Sequence, residues 1–165
     1  MMSHLASLKP VVVLSCFLAL AACSKKSTPD LDAGTGPGSG SHAPGSEGEF
    51  TTEIGDRVYF IVDQSTLTPE AQETLRRQAE WLNRYRSVTV QVEGHSDERG
   101  TREYNISLSA RRATAAREFL IANGVSGSRI SSIAYGKERP VALCDAEQCY
   151  SQNRRAVTVI TGGAN

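Results

Sequence analysis

Positive charge is not in excess in this chain. Lysine plus arginine and aspartate plus glutamate number 18 each. A chain that grips nucleic acid carries a clear basic surplus, so no nucleic-acid partner is expected. Lysine is nearly missing from residue 50 onward, where Lys137 stands among many arginines. Arginine offers a planar fork that matches carboxylates, although a GC-rich genome or ordinary surface ion pairs give the same bias. No apolar run approaches the roughly 20 residues that a helix needs to span a bilayer. The signatures G-x-S-x-G, H-E-x-x-H and the Walker loop are absent. Metal-ligand spacing is lacking too, because His95 and Asp97 alone are too few. A catalytic or metal centre is therefore not expected, and the chemistry has to be sought in binding.

The chain opens with a weakly basic stretch containing Lys9, followed by the apolar residues 11–20, V-V-V-L-S-C-F-L-A-L. A run of that length fits the hydrophobic region of a secretory signal. It ends L-A-A-C at residues 20–23, with small residues at a cleavage point. A cysteine just after them resembles the bacterial lipobox, in which the thiol is diacylated and becomes the new N-terminus. The alternative is a plain signal peptide with a chance cysteine. The resemblance implies a signal at residues 1–22 and, on Cys23, a covalent diacylglycerol with an N-acyl chain, no other cofactor being called for. Each buried methylene contributes about 0.8 kcal/mol, and more than one chain gives stable anchoring. Ser24 follows the cysteine, which in the enterobacterial sorting rule favours the outer membrane.

Residues 24–49 are rich in glycine, serine and proline and almost free of apolar side chains. Such a segment cannot bury enough surface to offset its ordering entropy. With Cys23 it reads as a tether over residues 23–49, with a mean span of roughly 28 Å and a full reach of roughly 90 Å. His42 within it reads as solvated.

Residues 50–165 read as one folded domain. Residues 57–62 (R-V-Y-F-I-V) are a continuous run of strand formers, which suits a central strand buried on both faces. Thr68-Pro69-Glu70 is a helix start, and Ala71, Leu75, Ala79 and Leu82 then repeat at helical spacing, with the end near Tyr85. Residues 87–93 alternate strictly, with Val88, Val90 and Val92 on one side. A long helix is expected over residues 104–123, stopped by Gly124, with Ile106, Ala110, Ala113 and Leu120 as its buried stripe. Residues 130–135 and 154–161 read as two more strands, with a short helical turn between them. The class is α/β, an α+β sandwich in the order β-α-β-α-β-(short helix)-β, its mixed sheet carrying helices on one face.

Of the cysteines, Cys144 and Cys149 fall in the domain, spaced C-x4-C. In an exported chain a disulfide between them is the default, contributing roughly 2 kcal/mol on the loop-entropy model.

The most informative stretch is residues 94–113, G-H-S-D-E-R-G-T-R-E-Y-N-I-S-L-S-A-R-R-A. His95-Ser96-Asp97 invites a hydrolase reading. On an extended segment, however, His95 and Asp97 share a side and Ser96 does not, while a triad needs all three to converge. On the following helix Asn105, Leu108 and Arg112 are spaced i, i+3, i+7 and share a face at the border of the buried stripe, whereas Arg111 points elsewhere. An arginine at a core border wants a carboxylate. Asp97 is the candidate, as an internal ion pair, as one half of a ligand site, or as both.

This stretch resembles the hallmark segment of the OmpA-like peptidoglycan-binding domains, and more closely the alphaproteobacterial lipoproteins of the Tol–Pal system. R-V-Y-F from Arg57, S-S-I-A-Y-G-K-E-R-P from Ser131 and Y-S-Q-N-R-R-A-V from Tyr150 agree with it. The resemblance implies non-covalent binding of the peptidoglycan stem at meso-diaminopimelate, by a domain that is not an enzyme. It carries the diaminopimelate aspartate onto Asp97 and the arginine onto Arg112. Asn105 and Leu108 fall on the pocket pattern, Asp63 on an aspartate of the loop after the first strand, and Gly94 and His95 are expected among the diaminopimelate-binding residues as well. It also implies TolB and other Tol proteins as partners, an outer-membrane anchor facing the periplasm, and a part in envelope constriction at cell division. The chain departs from the family pattern at residues 60–63, where many relatives read F-D-F-D and this one reads F-I-V-D. The cysteine pair is a second departure, from the enterobacterial members.

Overall fold

The computed structural model describes residues 42–165. The expected signal, the lipidated Cys23 and most of the tether lie outside the described residues. Among the described residues, no helix is long and apolar enough to cross a membrane.

Helix α1 (Glu47–Glu49) runs into a π-helical turn (Phe50–Gly55) and then strand β1 (Arg57–Tyr59). Helix α2 (Pro69–Arg84), strand β2 (Thr89–Gly94) and helix α3 (Arg102–Ala122) follow. A 3-10 turn (Gly127–Arg129) leads to strand β3 (Ile130–Ala134), then helix α4 (Glu147–Asn153) and strand β4 (Arg155–Gly162). The sheet order is β1-β4-β2-β3. β4 pairs antiparallel with both β1 and β2, while β2 and β3 are parallel. The parallel pair needs a crossover, and α3 supplies it. The expected mixed α/β sheet is therefore present.

Local chemistry accounts for the helix starts. Thr68 caps α2 by accepting from the Ala71 amide at 3.2 Å, with Pro69 in the first turn. Thr101 caps α3 in the same way through Tyr104. Val58, Val90, Val92, Ile130 and Ala156 occupy one sheet face and are buried with Leu75, Ala79, Leu82, Ala113, Ala116 and Leu120 from α2 and α3. Strict alternation in β2 matches that burial: Val90, Val92 and Gly94 are buried and the residues between are half-buried.

The run 57–62 does not form a central strand. β1 covers three residues at the sheet edge, with Val58 buried and Arg57 and Tyr59 exposed. Phe60 returns to the core, but Ile61 and Val62 are 51% and 47% exposed. A run of strand formers has the same composition at an edge as at the centre, and here β4 and β2 take the inner positions.

The buried stripe of α3 also differs from expectation. Ile106 and Ala110 are half-buried, while Asn105, Leu108, Ser109, Arg112, Ala113, Ala116 and Leu120 are buried. Polar groups are tolerated there because each is bonded. Asn105 Nδ2 donates to the Arg99 and Thr101 carbonyls, and Ser109 Oγ donates to Ile106 while accepting from the Gly136 amide.

Residues 43–49, grouped with the tether by composition, are packed against the domain. Glu49 accepts from the Gly45 amide and from Trp81 Nε1, both at 2.7 Å. Phe50 packs against Trp81 with ring centroids 4.9 Å apart. The Asn165 amide donates to the Gly45 carbonyl at 3.1 Å, joining the two ends of the described chain. Cys144 and Cys149 form the expected disulfide.

Candidate functional site

A cavity of about 410 Å³ opens where three segments meet: the loop after β1, the loop after β2, and the first half of α3. Val62 and Asp63 come from the first, Asp97, Arg99 and Gly100 from the second, and Tyr104, Asn105, Leu108 and Arg112 from the third. Asp97 and Arg112, separated in sequence by a loop and the first half of a helix, thus line one cavity. The i, i+3, i+7 face of Asn105, Leu108 and Arg112 points into it as the spacing predicts.

The loops are held from below. Asp63 adopts the left-handed conformation at φ 59°, which aspartate tolerates better than most residues. Gly100 takes φ 86°, and Lys137 Nζ donates to the carbonyls of Glu98 and Gly100 at 3.1 and 2.9 Å. The Ser96 amide donates to the Gly136 carbonyl, and its hydroxyl to the Asn105 carbonyl at 2.9 Å.

Arg112 does not pair with Asp97. Its Nε donates to the Gln64 carbonyl at 2.8 Å, its Nη1 to His95 at 2.9 Å and its Nη2 to Ile61 at 3.2 Å. The residue is 0% exposed, with Phe60 beneath the guanidinium at 5.2 Å. It is a buried cation solvated by backbone dipoles, not a border residue seeking a carboxylate. Burial lowers its pKa to about 10, against the pull of Asp97, so it stays charged at neutral pH. Of the five guanidinium N–H groups, three are engaged and two remain.

Asp97 is held by other arginines. Its Oδ2 accepts from Arg99 Nη2 at 2.5 Å and from Arg154 Nη1 at 3.2 Å, and its Oδ1 accepts only the Arg99 amide, at 3.2 Å. Burial would raise this carboxyl, but the hydrogen bonds from Arg99 and Arg154 outweigh it and hold the pKa below the usual range. The cavity therefore presents an anionic group with an under-used oxygen and, on another wall, a fixed cation. Val62, Tyr104 and Leu108 supply apolar surface between them.

His95 and Gly94 do not line the cavity. Gly94 faces the α3 backbone at Ser109. The His95 ring stacks on Tyr135 at 5.6 Å, and neither ring nitrogen has a hydrogen-bond partner. β2 ends at Gly94, so the alternation that placed His95 and Asp97 on one side does not extend to them. His95 serves through its carbonyl, which fixes Arg112. Burial, with Arg155 and Arg139 adding to it, lowers the His95 pKa to about 4. With Ser96 bonded to a backbone carbonyl and His95 turned away, the three residues make no triad. Arg111 is exposed, as expected.

Four contributors escaped the sequence reading: Arg99, Gly100, Tyr104 and Arg154. Tyr104 was within reach of it, since it lies four residues before Leu108 on the same helical face. Nothing local marks Arg154, which reaches Asp97 from the junction of α4 and β4. Its Nε donates to the Phe60 carbonyl at 3.1 Å and its Nη2 to Glu147.

The OmpA family model matches residues 59–154, a span that includes every cavity-lining residue. The chain is 53% identical over 156 residues to the peptidoglycan-associated lipoprotein of Mesorhizobium japonicum, covering 94% of this chain and 93% of that protein. It is 43% identical to the peptidoglycan-associated lipoprotein of Pseudomonas aeruginosa, covering 76% and 74%. The crystal structure of the peptidoglycan-associated lipoprotein from Burkholderia pseudomallei superposes with a TM-score of 0.63 at 37% identity, covering 64% of this chain and 90% of that one. The C-terminal domain of Helicobacter pylori MotB, at 22% identity and TM-score 0.61, shares the fold, covering 65% of this chain and 84% of that one. The chain belongs to the OmpA family and, within it, to the peptidoglycan-associated lipoproteins.

Proposed function

We propose that this protein is an outer-membrane lipoprotein whose folded domain binds peptidoglycan without a covalent bond, at the meso-diaminopimelate of the stem peptide. The observation that carries this reading is the presence of Asp97 and Arg112 on the walls of one cavity, not paired with each other. The free end of diaminopimelate bears an ammonium and a carboxylate on one carbon. Asp97 Oδ1 receives the ammonium, and the Arg112 side of the cavity receives the carboxylate. Both are charge-assisted hydrogen bonds, the stronger kind. Asn105 sets the turn below them, and Val62, Tyr104 and Leu108 cover the apolar part of the side chain. Asp63 adds negative charge at the rim. The domain acts by binding, a reading supported by the relatives named peptidoglycan-associated lipoprotein and by the OmpA family match.

The chain layout supports delivery to the wall. Residues 43–50 pack at the Trp81 end of α2, next to the start of β2, whereas the cavity lies beyond the end of β2. Six strand residues, about 20 Å, separate the two poles. The segment that leads back toward Cys23 thus joins the domain at the pole opposite the cavity. The family resemblance extends the proposal to the Tol–Pal system, with TolB and other Tol proteins as partners in envelope constriction at division.

Sedimentation with purified sacculi tests the site. Unsubstituted protein should sediment with diaminopimelate-type peptidoglycan, and Asp97→Asn should stay in solution while remaining folded by circular dichroism. Sacculi carrying lysine in place of diaminopimelate retain the ammonium and lose the carboxylate, and should bind weakly. Equal sedimentation with both wall types would remove the arginine half of the site. For the anchor, Cys23→Ala should move the protein from the membrane to the soluble fraction.

A further inference from the structure

The Asp97 carboxylate is flanked by a second layer that comes from the disulfide-closed loop. Glu147, the first residue of α4, accepts from Arg154 Nη2 and lies 3.8 Å from Arg99 Nη2. These are the two guanidinium groups that converge on Oδ2 of Asp97. Tyr150 adds a third contact, its ring lying 4.4 Å from the Arg99 guanidinium carbon. The Tyr150 hydroxyl is fixed in turn by Asp145. Asp145 and Glu147 lie between Cys144 and Cys149, and Tyr150 follows directly, so the bridge closes a small ring around the groups that hold both arginines.

The two arginines differ in freedom. Arg154 is buried and tied to the Phe60 carbonyl as well as to both carboxylates. The Arg99 side chain is 44% exposed and lines the cavity, with Asp97 on one side and Glu147 and Tyr150 on the other. A ligand ammonium that approaches Asp97 competes with Arg99 for the same carboxylate. The competition is eased when Arg99 has another anion and an aromatic face within reach, since the displaced guanidinium then keeps charged and cation–π partners.

We infer that Glu147 is a positioning residue for ligand binding: it draws Arg99 away from Asp97 so that an ammonium-bearing ligand can take its place, and the Cys144–Cys149 bridge holds Glu147 there. This rests on the diaminopimelate reading above. The affinity of the site is then set partly by a loop that contributes no residue to the cavity wall.

The test measures binding of a soluble L-alanyl-γ-D-glutamyl-meso-diaminopimelate peptide to the full chain in mild detergent by titration calorimetry. Glu147→Gln should weaken binding about tenfold, the scale of one charge-assisted bond. Its thermal midpoint should stay close to that of the unsubstituted chain, because Glu147 is largely exposed. In an Arg99→Gln background the same substitution should cost at most about threefold, since the competing cation is gone. The Cys144→Ser, Cys149→Ser double variant should bind more weakly as well, below its own melting range. Unchanged affinity in Glu147→Gln overturns the inference, as does an undiminished loss in the Arg99→Gln background or a loss that tracks falling stability. Absence of binding by the unsubstituted chain would remove the diaminopimelate reading and this inference together, whereas normal binding by it with no effect of Glu147→Gln removes the inference alone.

Discussion

A Cβ built on Gly94 would lie 1.9 Å from the carbonyl oxygen of Ser109. The last residue of β2 and the middle of α3 therefore touch backbone to side-chain space, with nothing between them. That contact sets the depth at which α3 sits on the sheet, and with it the position of Arg112 one turn later, whose Nη1 meets the carbonyl of His95. Gly94 acts on the site by being small, not by touching a ligand. Gly94→Ala should push α3 off the sheet and cost about 3 kcal/mol, the upper range for overpacking. Urea denaturation measures the loss, and a midpoint equal to that of the unsubstituted chain would contradict the packing argument.

Arg112 is a structural cation as well as the proposed partner of the ligand carboxylate. Replacing it with alanine strands the carbonyls of Ile61, Gln64 and His95, which hold the two loops of the cavity. Hydrogen bonds to charged groups contribute roughly 1.5–3 kcal/mol each, and the expected loss is on the order of 3 kcal/mol or more. Loss of peptidoglycan binding in Arg112→Ala should therefore come with a clear fall in stability, larger than that of Asp97→Asn, which keeps a side chain of the same size and leaves Arg154 its bond to Glu147. Chemical denaturation of both variants side by side checks the contrast.

His95 makes stability depend on pH. Its folded pKa of about 4 lies below the unfolded value near 6.5. Between these values the unfolded chain binds more protons, so stability rises with pH across that window and is lost as pH falls through it. The contribution is on the order of 2–3 kcal/mol. His95→Phe keeps an aromatic ring beside Tyr135 and cannot take up a proton. Its denaturation free energy should change less between pH 4 and pH 7 than that of the unsubstituted chain, and an equal slope would assign the dependence to other groups.

The disulfide closes a short ring, and the loop-entropy model gives it about 2 kcal/mol. The Cys144→Ser, Cys149→Ser variant should fold and melt at a lower temperature. Mass spectrometry before and after reduction should show the bridge in protein purified under non-reducing conditions, with no free thiol at either position.

Much of the fold was legible locally. The Thr68-Pro69 start of α2, the alternation of Val88, Val90 and Val92, and the Gly124 stop of α3 depend on geometry within one turn or one strand. The same is true of the shared face of Asn105, Leu108 and Arg112, which pointed to a site before any partner was known. By itself, then, the sequence determined the elements from β1 onward, the family, and the two charged residues of interest, but not the helical turns of residues 47–55. Tertiary structure alone decided that residues 57–62 form an edge, because composition is blind to which strands lie inside. It alone decided that Arg112 bonds to carbonyls 17, 48 and 51 residues away, and that Asp97 pairs with Arg99 and Arg154, two cations that Glu147 also contacts. Periodicity tells which way a side chain leaves its own backbone. What it meets there depends on chain crossings far away in sequence, and a buried charge takes its partners from whatever those crossings bring within reach.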